Sequence, residues 1–246
     1  MEQHLSFAER RTKAPTPRPG VLWGDQWLRV SEKLLQGLNQ QFTNRLTALG
    51  ALLDMIQPGA APEDGVIEGV SDEVSRLGRL LRLYRALSTD GLMPPEATRL
   101  QDMLPMALAL HEHHPDLKHM KCDVRGDART VPVLVRQVSL LRATLVLLDG
   151  VAGSAHRTEC VGGRRTLVTF GNGDGFVWVR FEGNAPPDQL IFSGSGTLLH
   201  TVRNELSHAS GTADGTIRRD GPDVRIEYEV RLPTLPSARR TIAYTA

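Results

Sequence analysis

The side chains of this 246-residue chain that could carry out acid–base, nucleophilic or metal chemistry are few and widely spaced. Three of its eight histidines lie together at His111, His113 and His114. Clustered imidazoles can bind a metal ion or accept a phosphoryl group. Because the three follow a segment with helical spacing, we expect solvent-facing residues at a helix end, with relocated phosphoacceptors or metal ligands as the alternatives.

The two cysteines, Cys122 and Cys160, are far apart and lie outside any CxxC or His/Cys metal-binding spacing. Structural zinc sites use closely spaced cysteine and histidine pairs, and disulfides are typical of oxidising compartments. We therefore predict no metal site and a reducing environment.

A glycine-rich segment, Gly194-Ser195-Gly196-Thr197, precedes a stretch with helical spacing. Small residues at the start of a helix allow backbone amides to approach a phosphate group closely. The pattern predicts either a remnant phosphate or nucleotide site at these four residues, or a tight loop whose Ser or Thr caps the helix.

Two long helices must come before these groups in the chain. From Trp27 to Ile56 most apolar residues alternate steps of three and four, which predicts a helix with a coiled-coil seam. After a breaker segment, a second helix with the same spacing ends near Asp90-Gly91. A second apolar row widens the first helix's stripe beyond what one partner helix covers, and its members are Leu34, Leu46 and Leu53. We expect an antiparallel hairpin that forms a four-helix bundle in a homodimer.

The pattern changes after Met93-Pro94-Pro95, where a second domain begins. A helix over Leu100 to His111 is followed by a short extended piece and a helix from about Val131 to Val151. Strands are predicted on either side of Gly171-Asn172-Gly173-Asp174-Gly175, because Gly-rich and Asn/Asp-rich turns join hairpins. A further helix closed by Gly211 and two final strands complete the order α-β-α-β-β-α-β-β, an α+β sandwich.

The resulting fold class is α+β, with an N-terminal helical hairpin followed by an α/β sandwich. The expected division is a flexible tail at residues 1–24, a dimerisation hairpin at 25–92, a second domain at 93–235 and a C-terminal tail at 236–246.

Charge and hydropathy exclude two classes of partner. The net charge of +1, with acidic and basic residues interspersed, lacks the basic field that nucleic-acid binding needs. No run of about eighteen apolar residues occurs, and the N-terminus carries charges where a signal peptide has an apolar segment. We expect a cytoplasmic protein that neither binds nucleic acid nor inserts into a membrane.

The segment Leu38-Asn39-Gln40-Gln41-Phe42-Thr43-Asn44-Arg45-Leu46-Thr47-Ala48-Leu49 resembles the phosphoacceptor box of sensor histidine kinases. That family joins a dimerisation hairpin to a Bergerat-type ATP-binding domain, and the resemblance spans roughly residues 27 to 233. In this register, Gln40 stands at the phosphoacceptor histidine and Gln41 at the adjacent acid. A glutamine amide nitrogen is delocalised into its carbonyl group and cannot attack a phosphate. The resemblance implies no catalytic residue here.

The nucleotide motifs depart from the family in the same way. Arg142 to Ala152 resembles the N-box helix, but Val146 and Gly150 occupy the places of its two asparagines, and only Asp149 nearby offers an oxygen ligand for magnesium. The adenine-binding Asp-x-Gly is replaced near Phe181 and Glu182, and the lid segment from Asp188 to Ser193 is short. We expect no bound cofactor, with residual ATP or ADP binding as the alternative.

Receiver domains dock in this family on the hairpin beside the phosphoacceptor. The resemblance places that surface here at Thr43, Arg45, Leu46, Leu49, Arg79 and Arg82. It implies a signalling regulator, a pseudokinase-like dimer that binds a response-regulator receiver domain or a partner histidine kinase. The alternatives are a histidine phosphotransferase of a phosphorelay and a small-ligand sensor that uses the ATPase-like pocket.

Overall fold

The structure, a computed structural model, describes residues 21–56, 61, 63–88, 93–117, 121–127, 129–156, 165–185, 195–220 and 223–235. The first helix begins at Val21, within the span expected for the N-terminal tail. The rest of that tail and the C-terminal tail at 236–246 lie outside the described residues.

The chain begins with two long helices, α1 at Val21–Asp54 and α2 at Asp64–Ser88. The ring of Phe42 on α1 meets that of Tyr84 on α2 edge to face, with centroids 6.5 Å apart. Farther along α1, Leu52 lies against Gly69 near the start of α2. The two helices therefore run antiparallel, as predicted from their spacing.

The second part of the chain contains three helices and seven strands among the described residues. The helices are α3 at Leu100–His111, α4 at Gln137–His156 and α5 at Ser195–Glu205. The strands are β1 Glu96–Thr98, β2 Lys121–Gly126, β3 Val133–Val135, β4 Arg165–Asn172, β5 Phe176–Ala185, β6 Thr212–Asp220 and β7 Asp223–Pro233. A helical hairpin followed by an α/β sandwich confirms the predicted fold class.

Five strands form the main sheet, in the order β2-β4-β5-β7-β6. Only β2 and β4 pair in parallel, and the other neighbours are antiparallel. Alternate residues of β5 point towards the helices and are buried, namely Val177, Val179 and Phe181. This two-residue alternation is what a sheet covered by helices on one face requires.

The predicted hairpin around Gly171–Gly175 is confirmed. Strands β4 and β5 pair up to Asn172 and Val177, and Gly175 has a left-handed φ of 78°. Glycine adopts this conformation without the steric penalty that a Cβ brings. The amide of Gly173 donates to the carbonyl of Phe176 at 2.7 Å, which closes the turn.

Helix α4 lies at the centre of the hydrophobic core. It packs on β4, β5 and β7 and also contacts α1, α3 and α5. A helix that is apolar on every side must be enclosed on every side. The residues of α4 that are no more than 2% exposed include Leu140, Leu141, Leu145, Val146, Leu147 and Leu148.

The predicted helix from about Val131 to Val151 is wrong at its start. Residues Val133–Val135 form β3, which pairs antiparallel with β1, and α4 begins only at Gln137. Val133 and Val135 are buried while Leu134 is exposed, which is the alternation of a strand. Pro132 and the β-branched valines favour this extended conformation.

The first half of α1 packs against the α/β domain. Val30, Leu34 and Leu38 are at most 2% exposed and belong to one core with α3, α4 and α5. Gly37 lies so close to the carbonyl of His113 that an added Cβ would overlap it. The hydrophobic core is therefore continuous from hairpin to sandwich, and the domain boundary near residue 92 stays a prediction.

The second half of the hairpin exposes apolar side chains at seven-residue intervals. On α1 these are Leu46 and Leu53, and on α2 they are Ile67, Val74 and Leu81, each between 42% and 57% exposed. Seven residues span two helical turns, so each set forms one stripe.

Within the described part of the chain, no helix has the length and apolar character needed to cross a membrane.

Candidate functional site

Gln40 lies on the exposed surface of α1, at the position that resembles the phosphoacceptor. One turn later, the hydroxyl of Thr43 donates to the carbonyl of Asn39 at 3.0 Å. The sequence of both hairpin helices contains no histidine. The surface that would present an imidazole to a phosphoryl group therefore presents an amide.

The two positions on α4 that resemble the N-box asparagines, 146 and 150, lie against apolar side chains. Val146 is fully buried in the core. Gly150 lies directly beneath Leu198 of α5, whose side chain would overlap a Cβ added there. An asparagine at position 146 would need space that the core already fills, and one at position 150 would require the Leu198 side chain to turn away. This part of α4 offers no amide for a nucleotide phosphate or for magnesium.

Asp149 is the one carboxylate in this part of α4, and basic groups already surround it. Its Oδ1 lies 3.3 Å from Nε2 of His114, and its Oδ2 lies 3.9 Å from the guanidinium of Arg29 on α1. The side chain is only 15% exposed. Among the described residues, no group of three or more His, Cys, Asp or Glu side chains could hold a metal ion. The arrangement does not fit magnesium, which requires several oxygen ligands and open coordination positions.

The expectation that the histidine cluster faces solvent is wrong. His111 is 6% exposed and His114 is 1% exposed, and their rings stack with centroids 6.2 Å apart. His113 is half-buried beside α1. The cluster lies at the C-terminal end of α3, as predicted, but α1 and α4 cover it. Neither buried imidazole is available as a phosphoacceptor.

The pKa of His111 is lowered from 6.5 to about 4, chiefly by burial and also by the neighbouring His114, while Asp149 opposes the shift. Its Nε2 is buried and has no hydrogen-bond partner among the described residues. Burial also lowers the pKa of His113 and of His208. A buried imidazole without a partner is stable only in the neutral form.

The position that resembles the adenine-binding carboxylate lies inside a strand. Strand β5 continues to Ala185, beyond the predicted end at Glu182, and pairs with β7 along this length. Phe181 is fully buried, and the carboxylate of Glu182 forms an ion pair with Arg225. Gly183 packs against Val151 of α4. A carboxylate held in this way is not directed at a ligand.

The glycine-rich segment is described in part. Gly194 and the lid segment at 188–193 lie outside the described residues, and Ser195 and Gly196 are the first residues of α5. Thr197 is half-buried, and its carbonyl accepts the hydroxyl of Thr201 at 3.0 Å. The phosphate remnant at these four positions stays a prediction.

The predicted docking residues do not share one face. Thr43, Leu46, Arg79 and Arg82 are exposed. Arg45 and Leu49 are half-buried, and the guanidinium of Arg45 lies 3.3 Å from the buried carboxylate of Glu73 on α2. At about 100° per residue, Leu49 lies on the opposite side of α1 from Gln40. The structure thus brings Thr43 and the two α2 arginines to the exposed surface of the hairpin and turns Arg45 and Leu49 inward.

Two residues of this region were not recognised from the sequence. Gly37 is a helical glycine that brings the backbone of α1 against His113, and Arg29 reaches Asp149. Two features of the sequence could have indicated them. A glycine inside a helix costs about 1 kcal/mol of helix stability relative to alanine, and Asp149 is a charged residue in a largely apolar helix. Both features indicate a contact that the sequence alone does not identify.

No protein-family model matches this sequence, and no curated protein matches it. Solved structures that are similar to this chain include histidine kinase cores. The catalytic domain of histidine kinase ThkA is similar over 58% of this chain and 97% of that chain, with a TM-score of 0.44 and 14% identity.

The histidine kinase AdeS of Acinetobacter baumannii is similar over 79% of this chain and 98% of its own, with a TM-score of 0.43 and 14% identity. ThkA in complex with the response regulator protein TrrA is similar over 90% of this chain and 69% of that chain, with a TM-score of 0.42 and 12% identity.

The pKa shift of His111 predicts a specific dependence of stability on pH. Because its pKa is lowered in the folded state, the stabilising contribution is complete above pH 6.5 and is lost as the pH falls from 6.5 towards 4. At 1.36 kcal/mol per pKa unit, the loss is about 3 kcal/mol. Urea unfolding of the His111→Leu variant should show a flatter pH dependence than the wild type over this interval.

An identical slope for wild type and His111→Leu would contradict the assignment.

Proposed function

We propose that this protein is a two-component-type signalling regulator, a catalytically inactive histidine-kinase-like dimer that binds a response-regulator receiver domain or a partner kinase. The observation that carries the proposal is the packing of α4. Val146 is enclosed in the core, Leu198 covers Gly150, and Asp149 is engaged by His114 and Arg29. At positions 146, 149 and 150, α4 thus offers magnesium no carboxylate or amide oxygen outside an ion pair.

The hairpin supports the same conclusion independently. Phosphoryl transfer to the chain needs a nucleophilic nitrogen beside an orienting base, and positions 40 and 41 carry two amides. A phosphotransferase role also needs an accessible histidine on the hairpin, which the sequence of α1 and α2 does not contain. Binding without chemistry is the function that these residues permit.

The exposed stripes support a homodimer. Leu46 and Leu53 on α1 and Ile67, Val74 and Leu81 on α2 present apolar surface on both helices of one hairpin. An apolar surface of this extent on a soluble domain marks an interaction site. A second copy offers the same surface, and two hairpins packed about a twofold axis would bury both sets as a four-helix bundle.

Exposed basic residues on the hairpin support a docking surface for a receiver domain. Tyr84 faces Phe42 in the antiparallel hairpin, so Arg82 and Arg79, which precede Tyr84 on α2, lie at about the level of Thr43 to Leu46 on α1. Neither arginine has an acidic partner within the part of the chain that the structure describes. We keep Thr43, Arg79 and Arg82 in the proposed docking surface, and we expect Leu46 to contribute to the dimer instead.

A histidine introduced at position 40 tests the loss of the nucleotide site. The Gln40→His variant restores the nucleophile on an exposed helix surface without altering α4. We expect no acid-labile phosphate after incubation with radiolabelled ATP and magnesium, because no bound nucleotide is held near the hairpin. An active histidine kinase serves as the positive control, and phosphorylation of the variant would overturn the proposed inactivity.

A charge placed within the α2 stripe tests the dimer. Val74→Glu should abolish dimerisation, because an unpaired buried carboxylate costs about 3 kcal/mol, which weakens association roughly a hundredfold. Ser75→Glu is the matched control, since position 75 is also exposed but lies about 100° farther round the helix. Sedimentation equilibrium should give twice the chain mass of 27.1 kDa for wild type and control, and the single mass for Val74→Glu. A monomeric wild type would contradict the proposal.

Charge reversal at the basic residues tests receiver docking. A panel of isolated receiver domains is screened for binding to the wild type by surface plasmon resonance. The double variant Arg79→Glu, Arg82→Glu should then bind the selected receiver about tenfold more weakly, mainly through slower association. The double variant Lys121→Glu, Arg125→Glu on β2, where both residues are exposed, has the same change in net charge and is the control. Equal affinity for the double variant and the control would exclude this surface.

A further inference from the structure

Four contacts join the first half of α1 to the α/β domain. The guanidinium of Arg142 lies 5.2 Å above the ring of Trp27, and Arg29 lies 3.9 Å from Asp149. Lys33 forms an ion pair with Asp116, and Gly37 contacts the carbonyl of His113. The four α1 residues are spread over three helical turns. We call this set of contacts the interdomain latch.

Asp149 connects three elements of the latch. From α4 it reaches Arg29 on α1 and the buried His114 beyond the end of α3. The Nδ1 of His114 accepts the amide of Asp116 at 3.3 Å, and its Nε2 lies 3.3 Å from Oδ1 of Asp149. A carboxylate that is only 15% exposed interacts with such groups more strongly than one in water.

Gly37 determines how closely the two domains approach. Its Cα lies against the His113 carbonyl, and any larger residue would have to displace either α1 or the chain after α3. Val30, Leu34 and Leu38 on the same half of α1 are buried in the shared core. Close backbone approach and apolar burial therefore act at the same place as the ion pairs.

We propose that the interdomain latch holds the α/β domain in one fixed position on α1, with Asp149 and Gly37 as its positioning residues. Gly37 lies one helical turn before Gln40, so a partner that binds α1 at Gln40 acts directly on a helix that is fixed to the sandwich. The two domains respond to that partner as one rigid body. The latch is independent of whether the chain binds nucleotide.

Carbodiimide crosslinking tests the latch on the full-length protein. This reagent joins an amine to a carboxylate only when the two are in contact, and Lys33 and Asp116 are 39% and 50% exposed to it. Peptide mass spectrometry should identify a Lys33–Asp116 crosslink in the wild type. In an equimolar mixture of unlabelled and nitrogen-15-labelled protein, both crosslinked peptides should carry the same label, because the contact is within one chain.

Two substitutions should open the latch, each with a matched control. Gly37→Ala should lower the crosslink yield at least about tenfold, because a Cβ at this position would overlap the backbone carbonyl of His113 and the closed arrangement could not form. Gly50→Ala on the same helix should not, because nothing lies within 4 Å of a Cβ at that position. Asp149→Asn should lower the yield, whereas Asp174→Asn in the exposed β4–β5 turn should leave it unchanged.

Circular dichroism is used to test whether each variant is folded. If Gly37→Ala unfolds the protein, Asp149→Asn still tests the proposal. Wild-type crosslink yield in folded Gly37→Ala or Asp149→Asn would overturn the proposal. A crosslink found only between labelled and unlabelled chains would also overturn it, because the contact would then join two copies.

Discussion

The burial of α4 on all sides is the constraint on which the rest of the structure depends. The sheet covers one side of this helix, and α1, α3 and α5 cover the others. Leu198 packs onto Gly150, and Val146 is enclosed with its leucine neighbours. In a core at this packing density, a polar side chain and its ligand have no room. The packing that stabilises the α/β domain therefore supports our proposal that no nucleotide is held at these positions.

Carboxylates that could act in catalysis or bind a metal ion instead form ion pairs between different elements of the fold. Asp149 joins α4 to α1 and to the chain after α3, and Glu182 pairs with Arg225 across the sheet. Glu73 performs the same role within the hairpin, where it pairs with Arg45 and Arg76. Removing one partner from a buried pair leaves an uncompensated charge, which is strongly destabilising. These carboxylates form ion pairs that stabilise the fold, which agrees with our proposal that the protein acts by binding.

Local sequence patterns predicted most helices and strands correctly. Contacts between elements that are distant in the sequence were not predicted. Helix α3 lies at its predicted residues, and the glycine-rich turn located β4 and β5. Strands β1 and β3 were missed because three residues are too few for periodicity to appear. The histidine cluster was placed correctly along the chain but assigned to solvent, because its burial depends on α1 and on Asp149, which no local pattern reveals. In the same way, Leu34 and Leu46 share one apolar row, yet the first is buried against the sandwich and the second is exposed.

Isothermal titration calorimetry of the purified protein with ATP and ADP, with and without magnesium, tests the central claim most directly. A retained nucleotide site would require the Leu198 side chain to turn away from Gly150, and Asp149 to leave Arg29 and His114. The packing of α4 predicts no saturable heat for either nucleotide under any of these conditions. Saturable, magnesium-dependent binding of ATP would contradict this account and would make nucleotide a ligand of the protein.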